Sequence, residues 1–332
     1  MVKYIIKRVL YSILILFFVS LILYFLMRAL PIDYIERKFL AQSMQQTVDP
    51  AEIQRIKELY GLADNSFLGM LKGYWGWLTA TLKGDLGTSF LYNQPVGDVI
   101  LDHMWTSFGV AIFAYIFQFI IAIPLGIKAA TRQYGAIDYT TSIFTMIGIS
   151  LPSFFLAILL IKIFAVELGW FPQSGLIDAT VDYSGNPGGR FLDMLYHMIL
   201  PMIAIIIGSV GSLMRHTRTN TLEVLNQDFV RTARAKGLSE RTVVYKHVFR
   251  NTMVPIVTMT AGIIPGLFGG MMILEQVFAI PGIGQIAYKA LVEGDIPFVM
   301  GYNMFIAVLT VLGTLLSDIT YMLVDPRIKI TR

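Results

Sequence analysis

Cysteine is absent from this 332-residue chain, which excludes disulfides and thiolate metal sites. Charge is scarce as well. Asp, Glu, Lys and Arg together make up 14% of the residues against 55% apolar types, well below the roughly one quarter charged expected of a globular domain. There is no GxxxxGK[ST] phosphate loop, no HExxH, and no pair of acids that spacing alone places together. With four histidines and no cysteine, little in the chain invites a transition metal. The net charge of +4 is not read as a nucleic-acid surface. In so apolar a chain an excess of Lys and Arg marks the cytoplasmic side of a membrane protein, and no nucleic-acid partner is expected.

What the chain does have is six long apolar runs. Val9 to Leu30 contains only Arg28, while Met104–Ile127, Tyr139–Ile161, Met194–Met214, Asn251–Leu274 and Ile296–Ser317 contain no Asp, Glu, Lys or Arg. A helix needs about 20 residues to cross a ~30 Å hydrocarbon layer, and backbone groups cannot go unpaired in lipid. The reading is an all-α integral membrane protein with six transmembrane helices. A signal peptide is the alternative for Val9–Leu30, behind Lys3, Lys7 and Arg8. Its apolar stretch is too long for a signal core and lacks a clean cleavage site, so an uncleaved first span is preferred. Basic residues cluster at the N-terminus, in 128–138, in 215–250 and after Ser317. Acids outnumber bases in 31–101, 166–193 and 275–295. The alternation puts both termini in the cytoplasm.

Pro124, Pro152 and Pro265 sit well within runs, while Pro201 and Pro255 lie nearer run starts, and a proline can interrupt a helix ladder and kink it. Gly262 and Gly266 form a GxxxG spacing that permits close helix approach. Pro124, Pro152, Pro265, Gly262 and Gly266 are candidates for helix packing or for gating. No acid or histidine occupies a span midpoint, which argues against a proton-driven mechanism. The outer segment 31–101 is too long for a simple turn. A short helix is expected over Asp49–Tyr60, with Asp49 as cap before Pro50, and a second near Met70.

The segment 215–250 carries eight Arg or Lys against Glu223, Asp228 and Glu240. Thr221–Lys236 reads as one helix with Leu222, Leu225, Phe229 and Ala233 on an apolar stripe. Gly237 is its stop and Ser239 the cap of a following helix. Three uses compete for this helix: fixing topology by charge, binding anionic lipid, or docking a cytoplasmic protein.

RTARAKGLSERTVVYKHVFRN, at 231–251, resembles the cytoplasmic loop of membrane subunits of bacterial peptide-import ABC transporters, in particular the B-type oligopeptide or dipeptide permease of the peptide and nickel branch. The resemblance continues through KGDLGTSFLYNQPV, GISLPSFFLAILL, LGWFPQSG, EQVFAIPGIGQIAYKALVEGDIPFV and DPRIK, and covers nearly the whole chain. It implies the type I ABC importer permease fold. The chain would divide into a cytoplasmic N-terminus and peripheral first helix (1–30), an extracytoplasmic segment (31–101), a five-helix transmembrane domain (102–325) and a cytoplasmic tail (326–332). It further implies that Arg231, Thr232, Ala233, Arg234, Ala235, Lys236 and Gly237 form a coupling helix seated in a cleft of an ATPase subunit. The implied partners are a second, homologous permease subunit, two nucleotide-binding subunits, an extracytoplasmic solute-binding protein and membrane lipid. ATP and Mg2+ would bind the ATPase subunits and no cofactor this chain, in keeping with the missing phosphate loop. A nickel permease is the rival within the class. A secondary transporter and a membrane-embedded enzyme are the rivals outside it.

Overall fold

A residue that precedes proline is driven out of the helical region by the proline ring, and Leu151 precedes Pro152. In the computed structural model of the chain, Leu151 is extended at φ −87° and ψ 127°. The third apolar run therefore splits into two helices that meet at 100°. The structure describes residues 2–29, 64, 66–259 and 262–324. In chain order its main helices are α1 (Val2–Ala29), α2 (Phe67–Leu82), α3 (Val96–Thr131), α4 (Ala136–Ser150), α5 (Ser153–Leu160), α6 (Pro187–Leu225), α7 (Asp228–Ala235), α8 (Phe249–Met259), α9 (Ile263–Phe268), α10 (Met272–Val277), α11 (Ile283–Glu293) and α12 (Ile296–Val324). Wide π-helical turns follow α5, over Ile161–Glu167, and precede α8, over Val243–Val248. Among the described residues the extended pairing is an isolated bridge, Thr88 to Pro95.

Four helices among the described residues are long and apolar enough to cross a membrane: Ile6–Ala29 within α1, α3, α6, and Ile296–Thr320 within α12. The bent pair Ala136–Ser150 and Ser153–Glu167 makes a fifth if it counts as one span. The run Asn251–Leu274, expected as a single span, is instead divided among α8, α9 and α10. Pro255 and Pro265 lie inside α8 and α9, and Gly270 adopts the left-handed conformation at φ +72° between α9 and α10. The helix expected near Met70 is α2. The helix expected over Asp49–Tyr60 and the tail 326–332 lie outside the described residues.

The chain divides into two compact units. One comprises residues 1–105 and 282–311. Here α2 starts on Ser66, whose Oγ accepts the Gly69 N–H at 3.1 Å, and packs on α1 through an aromatic cluster around Tyr74. That ring is buried at 1% exposure, lies edge-on to Phe17 and Tyr24, and its hydroxyl shares a 2.9 Å hydrogen bond with the buried Ser20 Oγ. The segment between α2 and α3 is held by Asp295, which is fully buried. Its carboxylate accepts from Ser89 Oγ at 2.5 Å, the Leu91 N–H at 2.9 Å and the Phe298 N–H at 3.2 Å. Three donors to one buried acid satisfy the charge that burial would otherwise destabilise.

The other unit comprises 106–281 and 312–332, and α6 is its axis. Small residues bring the neighbouring helices close. A Cβ at Gly148 in α4 would lie 2.7 Å from the Ile207 carbonyl oxygen of α6, and one at Gly126 in α3 would lie 2.7 Å from the Thr217 Cβ. The core around α5 and α6 is built from Leu156, Ala157, Leu160, Leu200, Ala204 and Phe278. Elsewhere on α4, Phe144 and Met146 remain 70% and 62% exposed, apolar side chains that suit lipid or a partner better than water.

Candidate functional site

The fourth apolar run ends at Met214, yet α6 continues to Leu225. Thr217 and Thr221 are fully buried there, and their hydroxyls donate to the Leu213 and Thr217 carbonyls. Between them, Arg218 forks onto Asp138 with Nε–Oδ1 at 2.6 Å and Nη2–Oδ2 at 2.8 Å. Asp138 is 5% exposed and also accepts the Tyr134 N–H at 3.0 Å. The planar guanidinium and planar carboxylate meet in a two-point geometry. The turn between α3 and α4 is thereby locked to the end of α6, which becomes a rigid stem.

Asn226 and Gln227 interrupt the helix, and α7 begins at Asp228. The expected single helix over Thr221–Lys236 is thus two helices, and the stripe changes with it. The buried set is Val224, Val230 and Ala233, closed by Val243 and Val248, with Leu225 partly buried. Phe229, expected on the apolar stripe, is 38% exposed. Periodicity read across a break assigns the wrong face, because α7 restarts with a new rotational phase.

The stop at Gly237 takes the form of a Schellman closure. The Gly237 N–H donates to the Arg234 carbonyl at 2.9 Å and the Leu238 N–H to the Ala233 carbonyl at 3.4 Å, with Gly237 left-handed at φ +77°. Ser239 then caps the next turn, its Oγ accepting the Thr242 N–H. Arg234 reaches across the stop to Glu240, Nε–Oε2 at 3.1 Å and Nη2–Oε1 at 2.5 Å. These hydrogen bonds hold the Glu240 carboxyl below its ordinary value and raise the Arg234 guanidinium. Of the residues singled out in the sequence, Ala233 faces inward, whereas Arg231, Thr232, Arg234, Ala235, Lys236 and Gly237 are exposed. Arg231 pairs loosely with Asp228 at 3.7 Å. The result is a short helix with a small apolar underside, a basic exposed rim and a clamped end. It can serve as a docking element.

The five packing or gating candidates separate in the structure. Pro124 lies inside an uninterrupted α3, and Pro152 sits at the 100° break. A Cβ at Gly266 would lie 2.6 Å from the Tyr115 hydroxyl of α3, whereas one at Gly262 would meet nothing within 4 Å. Pro265 lies within α9. Sequence reasoning passed over Glu275, placed near a span boundary. It is 3% exposed, and its carboxylate accepts from Ser107 Oγ at 2.7 Å and from the Met271 N–H at 3.0 Å, capping the start of α10. A Glu five residues after a double glycine, beside an apolar run, was the signal that could have found it. Among the described residues no group of three or more His, Asp or Glu could hold a metal ion.

A chain built of long apolar helices has counterparts among known proteins. The family described as binding-protein-dependent transport system inner membrane component matches residues 122–330, and its N-terminal companion matches 1–111. The chain belongs to this family of binding-protein-dependent inner membrane transport components. The oligopeptide transport system permease protein AppB of Bacillus subtilis is 35% identical over 99% of this chain and 100% of its own length. The peptidoglycan transport system permease protein YejB of Agrobacterium fabrum is 33% identical over 86% of this chain and 78% of its own. Among solved structures, the MetNI methionine ABC transporter in an inward-facing conformation superposes with a TM-score of 0.52 at 18% identity, covering 68% of this chain and 96% of that one. At that identity the likeness speaks for the fold, an all-α importer permease. As a permease component the chain is a multi-pass membrane protein and one part of a multi-subunit ABC system.

Proposed function

We propose that this chain is the permease subunit of an ATP-driven, binding-protein-dependent importer that moves oligopeptides or dipeptides across the bacterial cytoplasmic membrane. The observation that carries the reading is end-to-end similarity, at 35% identity, to an oligopeptide permease. The nickel rival draws no support from relatives named for peptide and peptidoglycan transport. In the proposed assembly the chain pairs with a second, homologous permease subunit, crosses the membrane six times with both termini inside, and receives peptide from an extracytoplasmic binding protein. Two ATPase subunits bind ATP and Mg2+, and α7 with Gly237, held on the Arg218–Asp138 stem, seats in a cleft of one of them. Closure of those subunits biases a permease with inward- and outward-open arrangements, and the coupling is reciprocal.

The test is reconstitution of the complete complex with its binding protein in liposomes. Peptide uptake should require ATP. Gly237→Arg should uncouple hydrolysis from uptake while binding-protein association persists. Full-rate uptake with no ATPase subunit present would favour a secondary transporter, and unimpaired coupling in Gly237→Arg would remove α7 from the mechanism.

A further inference from the structure

Polar side chains well inside an apolar span are costly unless something satisfies them. Tyr115 and Gln118 stand near the midpoint of the charge-free stretch 104–127 and, three residues apart, share one face of α3. With Ser212 of α6 they line a pocket of about 160 Å³, walled on its other side by Ile256, Met259 and Gly262. No Asp, Glu, Lys, Arg or His lines it. Gln118 Nε2 donates to the Ser209 carbonyl at 3.2 Å, which fixes the amide and leaves its Oε1 facing other partners. Among the described residues neither the Tyr115 nor the Ser212 hydroxyl makes a hydrogen bond.

We infer that Tyr115, Gln118 and Ser212 form a binding site for the backbone of a translocating peptide. The inference rests on the peptide-import reading above. An acyl chain would leave the Tyr115 and Ser212 hydroxyls and the Gln118 Oε1 without partners, and an ion would meet no opposite charge. A peptide group supplies one N–H and one C=O. Gln118 Oε1 can accept the N–H, and the Tyr115 and Ser212 hydroxyls can donate to the C=O. The size agrees: a cavity of about 150 Å³ holds a benzene-sized group, so this pocket admits about one residue at a time. Recognition through the backbone is indifferent to side chain, as a carrier of varied peptides requires. Met259, flexible and polarisable, lets the wall adapt to whatever side chain accompanies it.

The probes are an alanine pentapeptide and the same peptide N-methylated at its central residue, each taken up by the complete complex in proteoliposomes with one binding protein. The wild type should favour the unmethylated peptide, and in Tyr115→Phe/Gln118→Leu the preference should shrink about tenfold through slower uptake of the unmethylated peptide. Because the binding protein is the same throughout, the change in preference reads the permease. As a second measurement on the unaltered chain, a pentapeptide with a central benzoylphenylalanine should photolabel residues within 115–119 or 209–213, or Ile256, Met259, Gly262 or Ile263. A preference that is absent in the wild type or unchanged in the variant would overturn the inference, as would photolabelling confined to other segments or acyl chains occupying the pocket instead. A wild-type complex that transports neither peptide would overturn the peptide-import reading itself.

Discussion

At the scale of single residues, Gly237 shows how much depends on one backbone conformation. At φ +77° any side chain costs about 1 kcal/mol relative to glycine, although a Cβ there would meet nothing within 4 Å. The penalty is therefore conformational rather than steric crowding. Gly237→Ala should lower hydrogen-exchange protection of the Leu238 amide about fivefold, and Gly237→Asn should retain most of it, since asparagine tolerates this region. Across the same stop, the Arg234 fork depresses the Glu240 carboxyl below its ordinary value of 4.5. A carboxyl depressed on folding contributes stability that is fully present above 4.5 and disappears as pH falls through its lower folded value. Protection of the Leu238–Thr242 turn should stay level from pH 7 to about 5 and decline on further acidification. In Glu240→Gln that decline should be absent.

At the scale of elements, two buried carboxylates fix segments that helical periodicity does not describe. Asp295 gathers Ser89, Leu91 and Phe298, so residues 84–95 owe their shape to one acid more than two hundred positions away in sequence. Asp295→Leu leaves those donors unpaired, at a cost of about 2 kcal/mol or more. Limited proteolysis of the variant should show new cleavage within 84–95. Asp295→Asn, which keeps an acceptor, should show less. Glu275 plays the corresponding part at α10. The helices themselves were largely legible, because charge-free runs of membrane length admit few other structures. Their breaks were legible only in part. Pro152 marks the bend between α4 and α5, whereas Pro124 leaves α3 uninterrupted, and nothing local to the two prolines distinguishes them. The break at Asn226–Gln227 hides inside a stretch whose apolar spacing is compatible with one continuous helix.

At the scale of the whole molecule, the absence of cysteine makes topology directly measurable. Single cysteines in place of the exposed Thr180 and Lys289 should react with a membrane-impermeant maleimide in intact cells. Cysteines in place of Arg132 and Arg231 should react only after permeabilisation. Labelling of the Arg231 position from outside would invert the proposed orientation and remove α7 from reach of any cytoplasmic ATPase. The same experiment bears on the division of 251–274. Labels at Arg231 and Lys289 falling on opposite sides would mean that α8, α9 and α10 together complete a crossing despite their breaks.

Composition and the length of the uncharged runs determined by themselves that this protein is a helical membrane component, and the basic segment 215–250 determined where to look for its proposed docking element. Those features are set by transfer free energy and by charge, which act residue by residue along the chain. Tertiary structure alone decided that α7 is a separate helix, that Arg218 and Asp138 clamp its stem, and that Tyr115, Gln118 and Ser212 face one pocket. Each of these depends on pairings between residues far apart in sequence, and the energy of such a pairing exists only once folding has brought both partners together.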